Sequence, residues 1–153
     1  MKSRPLSLQE ELDRIIQKCD VCYIGMVDPQ NEPYVLPFNF GYREKTIFLH
    51  SARAGKKIDI LKENNSVCVA FSTDHELRWV NEEVACSWGM RYRSVLAYGK
   101  VVFIDDYDEK VEALNVIMSN YSDLNFQYNK PAVDDVQPIK VIVDKMEGRA
   151  YGY

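Results

Sequence analysis

The chain has 153 residues, of which 46% are apolar and 27% charged, a balance that suits one soluble hydrophobic core and one domain over 1–153. A net charge of -4 argues against a general nucleic-acid binder, whose electrostatic footprint is a basic face. No apolar run approaches the roughly 20 residues that cross a bilayer, and Met1-Lys2-Ser3-Arg4-Pro5 leads straight into an amphipathic segment, so no membrane contact and a cytoplasmic location are expected.

Leu8, Leu12, Ile15 and Ile16 recur at helical spacing and predict a helix over 6–18, with Ser7 as N-cap and Glu10 three residues on, the arrangement of a capping box. Residues 21–27 read as a buried strand, and the turn residues of 28–33 precede the next run. Two further strands, 33–40 and 46–50, enclose 41–45 and extend a hairpin meander. Ile58, Ile60 and Leu61 among charges predict a short helix over 56–63, stopped at Asn64 and Asn65. A strand resumes at 66–71, the polar stretch 73–83 reads as a surface excursion, and 94–104 reads as a strand bent at Gly99. Asp108 or a neighbour can cap a helix over 109–119, whose apolar face is Val111, Leu114, Val116, Ile117 and Met118. The segment 120–138, with Tyr121, Phe126 and Tyr128, is expected to wrap the surface of the body or a partner, and 139–143 supplies a last strand. About six or seven strands joined mostly by tight turns predict an antiparallel, closed, mainly β barrel with flanking helices.

Cys19 and Cys22 have the C-x-x-C spacing, but no second such pair exists and the only histidines are His50 and His75. Cys22 lies in an apolar run where a free thiol packs as a small hydrophobe, so no metal site is expected. No Ser-His-Asp triad, catalytic carboxylate pair or P-loop is apparent.

The chemistry concentrates in Tyr34-Val35-Leu36-Pro37-Phe38-Asn39-Phe40-Gly41-Tyr42, followed by Leu49-His50-Ser51-Ala52-Arg53-Ala54-Gly55-Lys56-Lys57. An aromatic-rich hairpin thus precedes a doubly basic helix start. A strand backbone can hydrogen-bond the edge of a flat ring, and first-turn N–H groups with two ammonium heads can receive a phosphate. Together with the later Tyr92-Arg93-Ser94-Val95-Leu96-Ala97-Tyr98-Gly99-Lys100-Val101, these segments resemble the flavin-binding split barrels related to pyridoxamine 5'-phosphate oxidase, most closely their nitroimidazole-resistance-like branch. The resemblance runs from about Cys22 to Ile104.

It implies an FMN-binding split β-barrel, a homodimer with a cofactor at each of two shared sites, and a flavin-dependent oxidoreductase acting on small electrophilic or nitroaromatic compounds. FAD is the larger cofactor such a site can accept. By the same resemblance, the main chain of Leu36, Pro37, Phe38 and Asn39 lines the ring, and His50, Ser51 and Ala52 approach the ribityl chain and phosphate. Lys56 and Lys57 face the phosphate, while Arg93, Ser94 and Val95 come from the second subunit. His50 is the position nearest the chemistry, which in that branch is reduction of a nitro group to an amine. The C-terminal stretch from Lys145 to Tyr153 lacks the arginine- and histidine-rich segment with which true oxidases hold the vitamin B6 phosphate, so that reaction is not expected. The alternative reading is a flavin- or haem-binding module without turnover.

Overall fold

The computed structural model describes residues 2–153. One antiparallel sheet contains β1 (Ser3–Leu6), β2 (Cys22–Val27), β3 (Pro33–Phe38), β4 (Gly41–Arg43), β5 (Thr46–Ala52), β6 (Ser66–Arg78), β7 (Gly89–Phe103) and β8 (Val136–Tyr151). The helices are α1 (Gln9–Gln17), α2 (Lys56–Glu63), α3 (Tyr107–Ser119) and α4 (Lys130–Asp134). Strand order is β3-β2-β6-β7-β8-β5-β4, with β1 pairing β8 off this path. The two terminal strands, β3 and β4, are separated in the chain only by Asn39 and Phe40, and no ladder joins them among the described residues. The sheet therefore curls into a split barrel, with no ladder along the seam between β3 and β4.

Period-two alternation decides which way each strand faces. On β6 and β7 the side chains of Val67, Val69, Phe71, Val95, Ala97 and Val101 are buried, whereas Cys68, Ala70, Leu96 and Tyr98 remain half-exposed on the opposite face. The core continues through Ile24, Phe40, Ile47, Leu49, Ile139 and Val141, and α1 closes it with Leu12, Ile15 and Ile16. Phe40 packs edge-on against Phe71 at 5.0 Å between centroids.

Three strands exceed their predicted lengths because their polar ends are held by backbone pairing rather than by core burial. β6 runs on to Arg78, so the first half of the expected excursion is ladder, with a bulge between Thr73 and Glu76. β7 begins at Gly89 instead of 94, and β8 spans Val136–Tyr151 instead of 139–143. The predicted irregularity at Gly99 is a register shift against β8, with Tyr98 opposite Lys145 and Gly99 opposite Val143. There β8 changes neighbour on its other edge, from β5 over Val136–Ile142 to β1 over Gly148–Tyr151.

The start of the first helix also differs. Leu6 belongs to β1, paired with Gly148, and Leu8 occupies the N-cap with no side-chain capping bond, so Ser7 caps nothing. Leu6 opened the predicted helix, but it is buried as the last residue of a strand. At α3, Asp106 is the capping neighbour, its carboxylate accepting from the Glu109 N–H at 3.0 Å. This helix buries Ala113, Val116 and Ile117 against Phe48 and Ile104, and it lies so close to β4 that a Cβ on Gly41 would collide with the Val116 carbonyl. Within 120–138, α4 adds a short helical turn with Val133 buried, and the Tyr121 hydroxyl donates to the Asp20 carbonyl at 2.8 Å while accepting from the Phe40 N–H at 2.9 Å. The segment packs on the body, as its aromatics suggest, and ties the β3–β4 link to the end of α1.

Candidate functional site

At the seam, β3 and the end of β5 each leave one strand edge without a ladder among the described residues. β3 has β2 on one edge and no strand on the other, and β5 pairs with β4 only through Thr46–Phe48. Leu49, His50, Ser51 and Ala52 therefore have a ladder only toward β8, in register with Ile139, Pro138, Gln137 and Val136. Backbone N–H and C=O groups along both edges are available to an edge-on polar ring, since unpaired strand groups seek a hydrogen-bonding partner. On β3, Leu36 and Phe38 turn inward against the core while Pro37 is exposed, as is Asn39 just after the strand. Pro37 lacks the donor its neighbours carry.

Downstream of β5, the exposed residues Arg53, Ala54 and Gly55 lead into the first turn of α2. Gly55 is its N-cap at φ 123° and ψ 170°, a conformation only glycine adopts readily, and no side chain caps the helix. Gly55 C=O receives the Ile58 and Asp59 N–H groups at 2.9 and 3.2 Å, which leaves the Lys56 and Lys57 N–H groups as the orphan donors of the turn. With the helix dipole, these form a receptor for an anion.

The two lysines are not equivalent. Lys56 Nζ stands 4.8 Å from the centre of the Tyr34 ring and 3.8 Å from an Asp28 carboxylate oxygen. Asp28 is itself buried, its other oxygen accepting the Gln30 and Glu32 N–H groups at 3.0 and 2.9 Å, so it organises the β2–β3 turn and holds Lys56 there. Lys56 also borders an open groove of about 610 Å³ with Asp28, Pro29, Gln30, Asp59, Ile60, Lys62 and Glu63. Lys57 is half-buried and makes no side-chain hydrogen bond or ion pair among the described residues.

His50 and Ala52 are exposed on one face of β5, and Ser51 is buried on the other, its hydroxyl donating to the Ala52 carbonyl at 2.7 Å. Loss of water around part of the imidazole holds its pKa below the ordinary value, so the ring is neutral at pH 7. The trio on β7 divides. Val95 is fully buried, Ser94 stands half-exposed on the opposite face of the sheet, and Arg93 bonds Asp74 at 2.7 Å and stacks on Tyr153 at 3.7 Å. In the sheet order β2 and β6 lie between β7 and β3. Within one chain, Leu36 to Asn39 run along and just past one unpaired edge, and His50 to Ala52 run along the other, which leads into α2, whereas Arg93, Ser94 and Val95 lie on β7, which is paired on both sides.

Asp28, Tyr34 and Tyr121 also shape this region: the sequence placed Tyr34 in the ring-edge strand and Tyr121 among the packing aromatics, but it did not give their contacts with Lys56 and with the Phe40 N–H. Asp28 was visible as turn chemistry, yet its contact with Lys56 crosses 28 positions and leaves no local trace. Cys19 and Cys22 are buried, which pushes their thiols up to about 11 and about 12 and keeps them protonated and unreactive at neutral pH. Among the described residues, no cluster of three or more His, Cys, Asp or Glu side chains could hold a metal ion, and no helix is long and apolar enough to cross a membrane.

A sequence profile described as pyridoxamine 5'-phosphate oxidase matches residues 9–150. No curated protein sequence matches the chain. Among solved structures, one described as a candidate 5-nitroimidazole antibiotic resistance protein from Bacteroides thetaiotaomicron is 41% identical over 97% of this chain and 87% of its own, with a TM-score of 0.88. The FAD- and haem-binding protein from Mycobacterium smegmatis shares the fold at a TM-score of 0.84 and 15% identity, covering 97% of this chain and 74% of its own. An FAD-binding protein from Mesorhizobium loti does so at 0.73 and 19%, covering 99% of this chain and 100% of its own.

Proposed function

The chain belongs to the pyridoxamine 5'-phosphate oxidase family, and we propose that it is an FMN-dependent oxidoreductase that reduces small electrophilic compounds, nitroaromatics in particular. The observation that carries this reading is the seam: two unpaired strand edges that end at an uncapped, lysine-flanked helix start. Its parts fit the two ends of FMN. The edges of β3 and β5 offer peptide donors and acceptors to the ring, and the free N–H groups of Lys56 and Lys57 suit a terminal phosphate, which FMN presents as a dianion. When bound, the isoalloxazine supplies the electron transfer, and the protein's part is to hold, orient and shield it. No acid–base constellation is needed for that role. Neutral His50, exposed on β5 beside Ala52, is the side chain assigned to substrate contact.

A homodimer belongs to the same reading. Beside the seam, the outer face of the sheet presents Pro37, Tyr23, Ala70 and Leu96 in one cross-strand row and Val35, Gly25, Cys68 and Tyr98 in the next. Tyr23 is 52% exposed and Val35 58%, an apolar surface that a second copy would cover. Ser94 lies on that same face, so a partner copy would bring it toward the flavin, whereas the Val95 side chain stays in the core.

Anaerobic stopped-flow kinetics test the activity. The flavin-loaded protein is reduced with dithionite and mixed with a 5-nitroimidazole. Reoxidation whose rate rises with the nitro compound is the expected result. Reduced flavin that persists as it does in the buffer blank would leave only a binding module.

A further inference from the structure

We propose a second ligand site, distinct from the seam, at the cleft between β1, α1 and β7, which takes a small polyvalent oxyanion such as a dicarboxylate or a phosphate monoester. The cleft has a volume of about 260 Å³, with Leu6 and Ile15 in its lining and Arg4, Arg14, Lys18 and Arg93 among its polar groups. Only two carboxylates, Glu11 and Asp74, accompany these four cations. The excess is local, since the chain as a whole carries a net charge of -4.

Much of the negative charge in the cleft is already spent. Asp74 receives Arg93 at 2.7 Å and Lys18 at 3.1 Å. Burial alone would raise the Asp74 pKa, but these bonds outweigh it and hold the carboxyl below its ordinary value, so the charge is present and matched at neutral pH. Arg4 approaches Glu11 only at 3.7 Å, and Arg14 uses its Nε on the Glu10 carbonyl at 3.2 Å. The terminal nitrogens of Arg14 make no hydrogen bond among the described residues. A guanidinium carries five donors in a planar fork suited to carboxylate and phosphate, so Arg4 and Arg14 bring unspent capacity to the cleft.

Arg93 is preorganised. Its guanidinium lies 3.7 Å from the centre of the Tyr153 ring, and the Tyr153 hydroxyl donates to the Asp74 carbonyl at 2.6 Å, which pins the ring. The cations arrive from three separate elements, as in a receptor, rather than along one solvated helix face. The volume sets the ligand class: drug-sized ligands occupy roughly 300–1,000 Å³, so this cleft suits a small metabolite anion and not a flavin.

The test is an amide chemical-shift titration of the full chain, at low ionic strength, with sodium malonate, inorganic phosphate and acetate. Saturable shifts confined to residues 4–6, 11–18 and the surroundings of Arg93 are expected with malonate, phosphate or both, and weaker ones with monovalent acetate. Saturation by malonate alone assigns a carboxylate ligand, and by phosphate alone a phosphate ester. Arg4→Ala with Arg14→Ala should raise the dissociation constant about tenfold. Lys100→Ala with Lys140→Ala, which removes the same charge elsewhere, should leave it nearly unchanged. Non-saturating shifts spread over the surface, or equal weakening in both double variants, would overturn the proposal. The readout does not use flavin, so it stands apart from the outcome at the seam.

Discussion

Lys56 and Lys57 adjoin in the chain but differ in what a phosphate must overcome to recruit them. Lys56 is shared with the Asp28 carboxylate and the Tyr34 ring, whereas Lys57 has no competing side-chain partner among the described residues. Replacing both by alanine should weaken FMN binding by about 1–3 kcal/mol, the scale of one or two charge-assisted bonds reduced by exposure. Lys57→Ala alone should account for the larger part. Fluorescence titration measures this, and a larger loss from Lys56→Ala would reverse the assignment. For His50 the sign follows from the partial loss of water around its ring. The folded ring binds its proton less readily than the unfolded one, so in the window directly below the ordinary value of 6.5 the unfolded state takes up more protons and stability falls as pH falls. His50→Gln should flatten that slope in urea unfolding, and an unchanged slope would deny the shift. The polar-to-small-to-basic order of these residues was readable in the chain. The engagement of Lys56 by Asp28 was not, since it depends on how the β2–β3 turn folds.

At the level of elements, close backbone approach explains the glycines that position the seam. A Cβ on Gly99 would collide with the Ile142 carbonyl at the β7–β8 bulge, and one on Gly41 with the Val116 carbonyl beneath α3. Both obstacles are backbone, which cannot swing aside. Gly99→Ala and Gly41→Ala should each destabilise by about 1–3 kcal/mol or more in denaturant unfolding, and a loss below 0.5 kcal/mol, about the limit for a tolerated surface change, would show that the contacts are looser than described. Asp106→Ala should cost about 1 kcal/mol through loss of its bond to the Glu109 N–H.

Elements with an apolar period were legible in the sequence: β2, α2 and α3 lie close to where spacing put them. The outer halves of β6, β7 and β8 were not. Residues such as Asp144, Lys145 and Glu147 give no burial signal, and β8 is extended there by β7 on one side and, at its end, by β1 on the other. β1 itself has four residues, three of them exposed, and is a strand only because β8 is there to pair with.

For the whole molecule, the barrel's closure and its seam have one origin, since β3 and β4 adjoin in the chain but end opposite sides of the sheet. Tight turns and few helices made the barrel legible, although the expected meander breaks between β3 and β4, which no ladder joins among the described residues. The line along which it stays open was given only by resemblance, because an unpaired edge is a relation between strands distant in the sheet. In the proposed dimer, the outer face beside it meets the second copy. Val35→Asp with Tyr23→Lys places charges on that face and should shift the protein from dimer to monomer in sedimentation, with loss of bound flavin. A wild-type chain that sediments as a monomer at micromolar concentration would remove the shared site from the account.

The most direct measurement is the absorption spectrum of the chain purified without added cofactor, followed by mass analysis of any ligand released and titration with FMN. The predicted result is a yellow protein that releases FMN and binds close to one equivalent per chain. A colourless protein that gains no protein-bound flavin on titration would contradict the reading of the seam.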